Sequence, residues 1–178
     1  MKALVMVDVQ SLFYGMKRVT GDYFARVDYQ KLRDLLKEGS DTLLLNAYLM
    51  TLVTDQNRRG QKSDEGFAKM LRKFGYNVKR HYCTVEVSDG ATRNVTVSKP
   101  AQMTREIVLD ALHFLPTVDR VIIVSGSGAM LPVARKAKEL GKEVWVACFE
   151  KAGDLNRELR KAVDKVITLD ATIQWVKS

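Results

Sequence analysis

The feature that most constrains the fold is a strand, a turn and a helix at residues 121–144. An apolar run passes through the small residues Ser125-Gly126-Ser127-Gly128 into an amphipathic helix, and a glycine turn then leads to another apolar strand. A matching apolar strand opens the chain and ends in a carboxylate at Asp8. Parallel strands that bring their carboxyl ends to one crevice are the usual way in which an open α/β sheet builds a site.

Strand and helix patterns alternate along most of the chain. We predict strands at 2–8, 42–50, 76–79, 120–124, 143–147 and 166–169, and between them helices that include one capped by Asp28. This alternation predicts a mostly parallel sheet with helices on both faces. Residues 82–87 and 94–97 alternate apolar and polar side chains around Asp89-Gly90, which is typical of an inserted antiparallel hairpin.

Length and composition favour one domain over residues 1–178, with a hairpin at 82–97 and a tail at 170–178. The sequence has no apolar run of the roughly 20 residues that a membrane span needs, and no signal peptide. We therefore expect a cytoplasmic protein without a membrane partner. Cys83 and Cys148 lie far apart in the sequence, which favours two reduced thiols over a zinc site.

The net charge of +8 is concentrated between residues 57 and 80, which hold eight basic and two acidic residues. Apolar residues recur there at helical spacing from Phe67 to Phe74, so the segment is predicted to be an amphipathic helix with a cationic outer face. Such a face is either solvated surface or a site for a polyanion. The candidate nucleic-acid-binding residues on it are Arg58, Arg59, Lys62, Lys69, Arg72 and Lys73.

Three segments carry a resemblance to a known family. Residues 5–14, Val-Met-Val-Asp-Val-Gln-Ser-Leu-Phe-Tyr, resemble the opening strand and turn of the NYN domain, a PIN-like ribonuclease family. Residues 125–144 are similar to that family's Ser-Gly-Asp-Ser-Asp-Phe segment and the helix after it, and residues 156–169 resemble its closing helix and strand. The resemblance implies a three-layer PIN-like α/β domain, Rossmannoid in topology, and RNA cleavage by aspartates that hold Mg²⁺ or Mn²⁺.

The aspartates that the resemblance implies are mostly replaced. Asp8 matches the first one, but Thr104, Ser127 and Ala129 stand at three other aspartate positions. Asp110 is retained, six residues beyond Thr104 and so about 9 Å further along the helix. The catalytic candidates are therefore Asp8 and Asp110. The only metal candidate is Asp8, with Mg²⁺ or Mn²⁺ as its cofactor.

Each of these residues also has a purely structural interpretation. Asp8 can cap the turn that follows its strand, and Asp110 can hydrogen-bond a neighbouring loop. The Ser125–Gly128 turn can be a close approach of backbone to sheet. Alternatively, Ser125, Ser127 and Gly128 can form an anion site at a helix start, joined by Ser11, which stands where the family usually has Asn.

The loss of acids suggests a degenerate domain that binds RNA, preferably single-stranded, or another polyanion, with reduced or lost nuclease activity. One alternative is an active ribonuclease whose acidic cluster is rebuilt from other residues, namely Asp55, Asp89, Glu150 or Asp154. Another is an interaction protein that forms a homodimer through the hairpin and the apolar tail at 172–176.

Overall fold

The computed structural model describes residues 1–22, 25–53, 58–86, 96–97 and 100–175. Within them, strands and helices alternate as the sequence predicts. The elements are β1 (Lys2–Asp8), α1 (Val9–Thr20), β2 (Ala25–Val27), α2 (Tyr29–Leu36), β3 (Thr42–Val53), α3 (Arg58–Lys73), β4 (Asn77–Glu86), β5 (Thr96–Val97), α4 (Pro100–Phe114), β6 (Arg120–Val124), α5 (Leu131–Glu139), β7 (Glu143–Cys148), α6 (Arg157–Ala162), β8 (Lys165–Thr168) and β9 (Ile173–Trp175).

The central sheet has the strand order β5-β4-β3-β1-β6-β7-β8 among the described residues. All its neighbouring pairs are parallel except β4 and β5. Asp8 lies opposite Tyr48 on β3, and Val7 lies opposite Val124 on β6. The residues that follow this last pair, Asp8 and Ser125, therefore leave the sheet side by side at its carboxyl edge.

Helices cover both faces of the sheet, which gives the predicted three-layer α/β fold. Side chains alternate along β1, so Val5 and Val7 face one core while Leu4 and Met6 face the other. Helices α1, α2 and α3 pack on the first core, and α4, α5 and α6 pack on the second. Asp28 caps α2 as predicted, accepting hydrogen bonds from the backbone of the first helical turn.

The predicted third strand and the first arm of the hairpin form one element. We predicted separate strands at 76–79 and 82–87, whereas β4 runs without interruption from Asn77 to Glu86. Near its end it pairs antiparallel with β5, with Val85 opposite Val97, as the hairpin pattern indicates. The Asp89-Gly90 turn lies outside the described residues. A strand near the sheet edge is partly exposed, so its alternating pattern looks like that of a free hairpin.

The tail pairs with its own chain, which the sequence analysis did not predict. Ile173 on β9 lies opposite Val27 on β2 in an antiparallel two-stranded sheet, and its side chain packs against the first core. Thr172 is buried just before this strand. The apolar residue Ile173 therefore has a partner within the chain.

Among the described helices, none is long and apolar enough to cross a bilayer.

Arg120 anchors the amino edge of the sheet. Its side chain is 6% exposed and donates to the Glu143 carboxylate at 2.7 Å and to the Glu38 carbonyl at 2.6 Å. Its guanidinium also lies 3.6 Å from the centre of the Trp145 ring. One buried cation thus joins β6, β7 and the turn that follows α2.

We expect Arg120→Ala to lower the free energy of unfolding by about 3 kcal/mol, because it leaves buried acceptors without their donor. Chemical denaturation measures this change. Lys136→Ala is the control, since it removes an exposed ion pair to Glu139 and should cost less than about 1 kcal/mol. Equal stability of the two variants would contradict the assigned role of Arg120.

Candidate functional site

A crevice of about 180 Å³ opens at the carboxyl edge of the sheet, where β1, β6 and β7 end. It lies between α1 and the segment that follows β7. Ligands of open α/β sheets bind in this position. The crevice is lined by Ser11, Leu12, Arg18, Ser125, Gly126, Ser127, Ala147, Cys148, Phe149 and Asp154.

Asp8 is tied to the first turn of α1. It is the cap of that helix, and its two carboxylate oxygens accept from the Ser11 backbone N–H at 3.2 Å and from the Ser11 hydroxyl at 2.7 Å. The Ser125 hydroxyl lies 3.3 Å from the Ser11 hydroxyl. The structure therefore brings Asp8, Ser11 and Ser125 into one hydrogen-bonded chain, and the capping interpretation of Asp8 is confirmed.

The turn after β6 is closed by its own hydroxyl groups. The Ser127 backbone N–H donates to the Ser125 hydroxyl, and the Ala129 backbone N–H donates to the Ser127 hydroxyl, each at 3.3 Å. These two N–H groups are thus engaged within the chain. A ligand anion at this turn would meet serine hydroxyls before it met those two donors.

Both glycines of this turn lie against the segment that follows β7, and Gly126 lies directly against its backbone. A Cβ on Gly126 would lie 2.6 Å from the Asp154 carbonyl oxygen, and the Asn156 backbone N–H donates to the Gly126 carbonyl at 2.9 Å. A Cβ on Gly128 would lie 2.7 Å from the Asn156 side chain. The structural interpretation of the turn is confirmed, and the segment that approaches it is residues 154–156.

An ion pair lies at the mouth of the crevice. Arg18 donates to the Asp154 carboxylate at 2.7 Å, and its side chain is 54% exposed. Gly15 leaves room for this contact, because a Cβ there would lie 3.3 Å from an Asp154 carboxylate oxygen. The sequence analysis did not single out Arg18. In the sequence, Arg18 is distinguished only by its position two helical turns after Ser11, which puts both residues on the same side of α1.

The active-ribonuclease alternative relies on four other acidic residues, and the structure describes two of them. Each of the two forms an ion pair with an arginine. Asp154 lines the crevice and pairs with Arg18, while Glu150 pairs with Arg160 at 3.2 Å. Asp55 and Asp89 lie outside the described residues.

The residues of the crevice do not fit the divalent metal centre that the resemblance implies. Mg²⁺ and Mn²⁺ need several hard oxygen ligands, chiefly carboxylates. In the part of the chain that the structure describes, no group of three or more His, Cys, Asp or Glu side chains could hold a metal ion. Thr104 and Ala129 offer no carboxylate, and both oxygens of Asp8 already accept hydrogen bonds from Ser11.

Asp110 belongs to a different cluster. Its carboxylate accepts from the Tyr48 hydroxyl at 2.9 Å and from the Lys79 ammonium group, so it joins α4 to β3 and β4. The partners are strand residues, not the neighbouring loop that we expected. Burial and the hydrogen bond to Asp110 raise the pKa of Tyr48. Asp110 does not line the crevice, and the structure does not bring it together with Ser125 and Ser127.

The basic residues form a second surface. Lys62, Lys69, Arg72 and Lys73 are exposed on α3, and none of them has an ion-pair partner among the described side chains. Helix α3 begins after the carboxyl end of β3 and runs toward the amino edge, so Lys73 lies about 16 Å further from the crevice edge than Lys62. The side chains of Arg58 and Arg59 lie outside the described part.

Cys148 lines the crevice as an uncharged thiol. It is 4% exposed, and burial raises its pKa to about 11, with further contributions from the carboxylates of Glu150 and Asp154. The thiolate is the nucleophilic form of cysteine. Cys148 therefore supplies an apolar surface near neutral pH and is not an activated nucleophile.

Comparison with known proteins agrees with the geometry. The family model described as "NYN domain" matches residues 2–170. The crystal structure of VPA0982, a protein of unknown function from Vibrio parahaemolyticus, is similar with a TM-score of 0.69 and 22% identity, covering 97% of this chain and 96% of that one. The nicotinamidase SaPncA from Staphylococcus aureus is similar with a TM-score of only 0.32 and 14% identity, covering 90% of this chain and 88% of that one. No curated protein matches the chain.

We expect Gly126→Ala to destabilise the protein by about 1–3 kcal/mol, because the new Cβ overlaps the backbone at Asp154. Gly66→Ala is the matched control. Gly66 lies in α3 with open space around its Cβ position, so alanine there should stabilise the protein by up to about 1 kcal/mol. Thermal unfolding of both variants measures the difference, and a neutral Gly126→Ala would contradict the close approach.

Proposed function

Because the chain belongs to the NYN domain family, we propose that it binds single-stranded RNA, or another polyanion, with reduced or lost nuclease activity. The observation that carries this proposal is the composition of the crevice. Hydroxyl groups of Ser11, Ser125 and Ser127 line the carboxyl edge of the sheet, and Ser127 stands where the family resemblance leads one to expect a carboxylate.

A hydroxyl in place of a carboxylate removes the repulsion between the crevice and a phosphate group. A cluster of aspartates holds a phosphate only through an intervening cation, because like charges repel each other. A serine hydroxyl donates a hydrogen bond to a phosphate oxygen directly. The Ser127 hydroxyl therefore suits phosphate binding without a metal, whereas the hydroxyls of Ser11 and Ser125 already donate to Asp8 and to Ser11 and would have to turn toward a phosphate. The activated water that metal-dependent cleavage needs has no carboxylate cluster to support it.

The cationic face of α3 supports the same proposal. Several other basic side chains around the sheet are neutralised locally, such as Lys138 by Asp164 and Lys165 by Glu38. The exposed cations of α3 instead remain available to a polyanion, and they create a positive field along one side of the molecule. This arrangement favours a phosphate backbone as the ligand.

Neutralising part of this face should weaken RNA binding and reduce its salt dependence. We expect the triple variant Lys69→Gln, Arg72→Gln and Lys73→Gln to lower the slope of log affinity against log salt by about two, since each phosphate contact on a single strand contributes about 0.7. Fluorescence anisotropy with a labelled single-stranded RNA measures the slope.

A second triple variant is the matched control. Arg135→Gln, Lys136→Gln and Lys142→Gln also remove three positive charges, but from α5 and the turn that follows it; α5 packs on the second core, across the sheet from α3. Affinity should change little in this variant. Equal losses in the two variants would show that net charge alone governs binding, and undetectable wild-type binding at low salt would overturn the proposal.

One observation favours the active-ribonuclease alternative. Asp154 lines the crevice, so a second carboxylate stands at the carboxyl edge in addition to Asp8, which is bonded to Ser11. In a binding protein this carboxylate opposes a phosphate and is offset by Arg18. In a metal nuclease with a rebuilt site, it would be a metal ligand. The two functions therefore assign opposite effects to the same side chain.

Asp154→Asn separates these alternatives. A binding protein should gain RNA affinity, by several-fold at low salt, because Arg18 is released and a negative charge leaves the crevice. A rebuilt nuclease should lose Mn²⁺-dependent RNA cleavage. Glu139→Gln removes the same charge from an exposed site on α5 and should change neither property. Cleavage by the wild type that Asp154→Asn abolishes would contradict the proposed loss of activity.

A further inference from the structure

Helix α1 carries an exposed tyrosine, Tyr14, next to the crevice-lining side of the helix, and we infer that Tyr14 stacks on a nucleobase of the RNA whose phosphate enters the crevice. This inference rests on the proposed function and names the residue that contacts the base. The Tyr14 side chain is 54% exposed and that of Phe13 is 43% exposed. Few large apolar side chains of the described structure are as exposed as Tyr14.

The helical geometry of α1 places Tyr14 beside the crevice. Successive residues turn by about 100° around the axis, so Ser11, Gly15 and Arg18 fall on one side of the helix. Ser11 and Arg18 line the crevice, and Gly15 faces Phe149 and Asp154 across it. Tyr14 follows next around the helix, about 40° beyond Arg18, on the side away from the core. Its ring therefore stands where a chain leaving the crevice would pass.

The surroundings of Tyr14 suit a base and its phosphates. Phe13 contacts the Tyr14 ring in a T-shaped arrangement, with centroids 5.5 Å apart. Lys17 lies over the Phe13 ring at 4.0 Å, and Arg18 is the next side chain beyond Tyr14 around the helix, so both aromatic residues have a cation beside them. Aromatic platforms interleaved with cations are the means by which proteins hold single-stranded nucleic acids.

This arrangement selects an unpaired base. Bases in a duplex are already stacked on their neighbours and present no free π face to a side chain, whereas a single strand does. Stacking on tyrosine accepts any base, so the contact adds affinity for single strands without reading a sequence. Tyr82 provides a contrast to Tyr14, because it is equally exposed but distant from α1. Its side chain is 58% exposed, it lies on β4, which β3 separates from β1, and the Arg80 guanidinium lies 5.0 Å from its ring centre.

The test uses the full chain and a short single-stranded RNA that contains 2-aminopurine, whose fluorescence falls when it stacks. With the wild-type protein we expect quenching on binding. Tyr14→Ala should abolish the quenching and weaken binding by roughly 5- to 150-fold. Tyr14→Trp should preserve both, because stacking needs the ring and not the hydroxyl. Tyr82→Ala is the matched control and should behave as the wild type.

The outcomes are distinct. A Tyr14→Ala variant that unfolds at the wild-type temperature, yet binds and quenches as the wild type does, overturns the stacking role and leaves the proposed RNA binding intact. A wild-type protein that fails to bind the RNA even at low salt overturns the proposed function itself. Quenching that is equal for the single strand and for the same RNA in a duplex also overturns the stacking inference.

Discussion

The site depends on a close contact between two backbone segments, the turn after β6 and the segment after β7. Asn156 donates its backbone N–H to the Gly126 carbonyl, and Gly126 has no side chain, so the segment after β7 lies directly against the end of β6. This contact sets the position of Asp154, which then reaches across Gly15 to Arg18. The crevice is the space that remains between this segment and α1, and its hydroxyl lining follows from the turn that this contact holds.

The turn after β6 holds its shape without a carboxylate at Ser127, because hydroxyl groups of the turn bond its backbone. Ser125 and Ser127 accept hydrogen bonds from backbone N–H groups of their own turn, so they stabilise the geometry by themselves. A cluster of aspartates would repel one another there unless a cation was bound. The turn therefore keeps its geometry without a bound cation, and one fold can in this way support different functions.

Most strands of the central sheet were predictable because buried parallel strands are continuous apolar runs, and the cap at Asp28 was predictable because capping is local. Other features depend on contacts that are remote in sequence. Arg18 and Asp154 are 136 positions apart, so no pattern links them. The pairing of β2 with β9 involves strands of only three residues, which are too short to show a period.

The crevice and the cationic face of α3 are separate surfaces. They come nearest to each other at the start of α3. Helix α3 follows the carboxyl end of β3, the strand next to β1, so its first turns lie near the crevice edge of the sheet and its last turns lie near the opposite edge. A polyanion that enters the crevice and continues across the end of β3 meets Lys62 first and then the later cations of the helix. Tyr14, at the rim, lies close to the start of such a path. A single strand that touches both surfaces therefore has to follow the carboxyl edge of the sheet before it turns along α3.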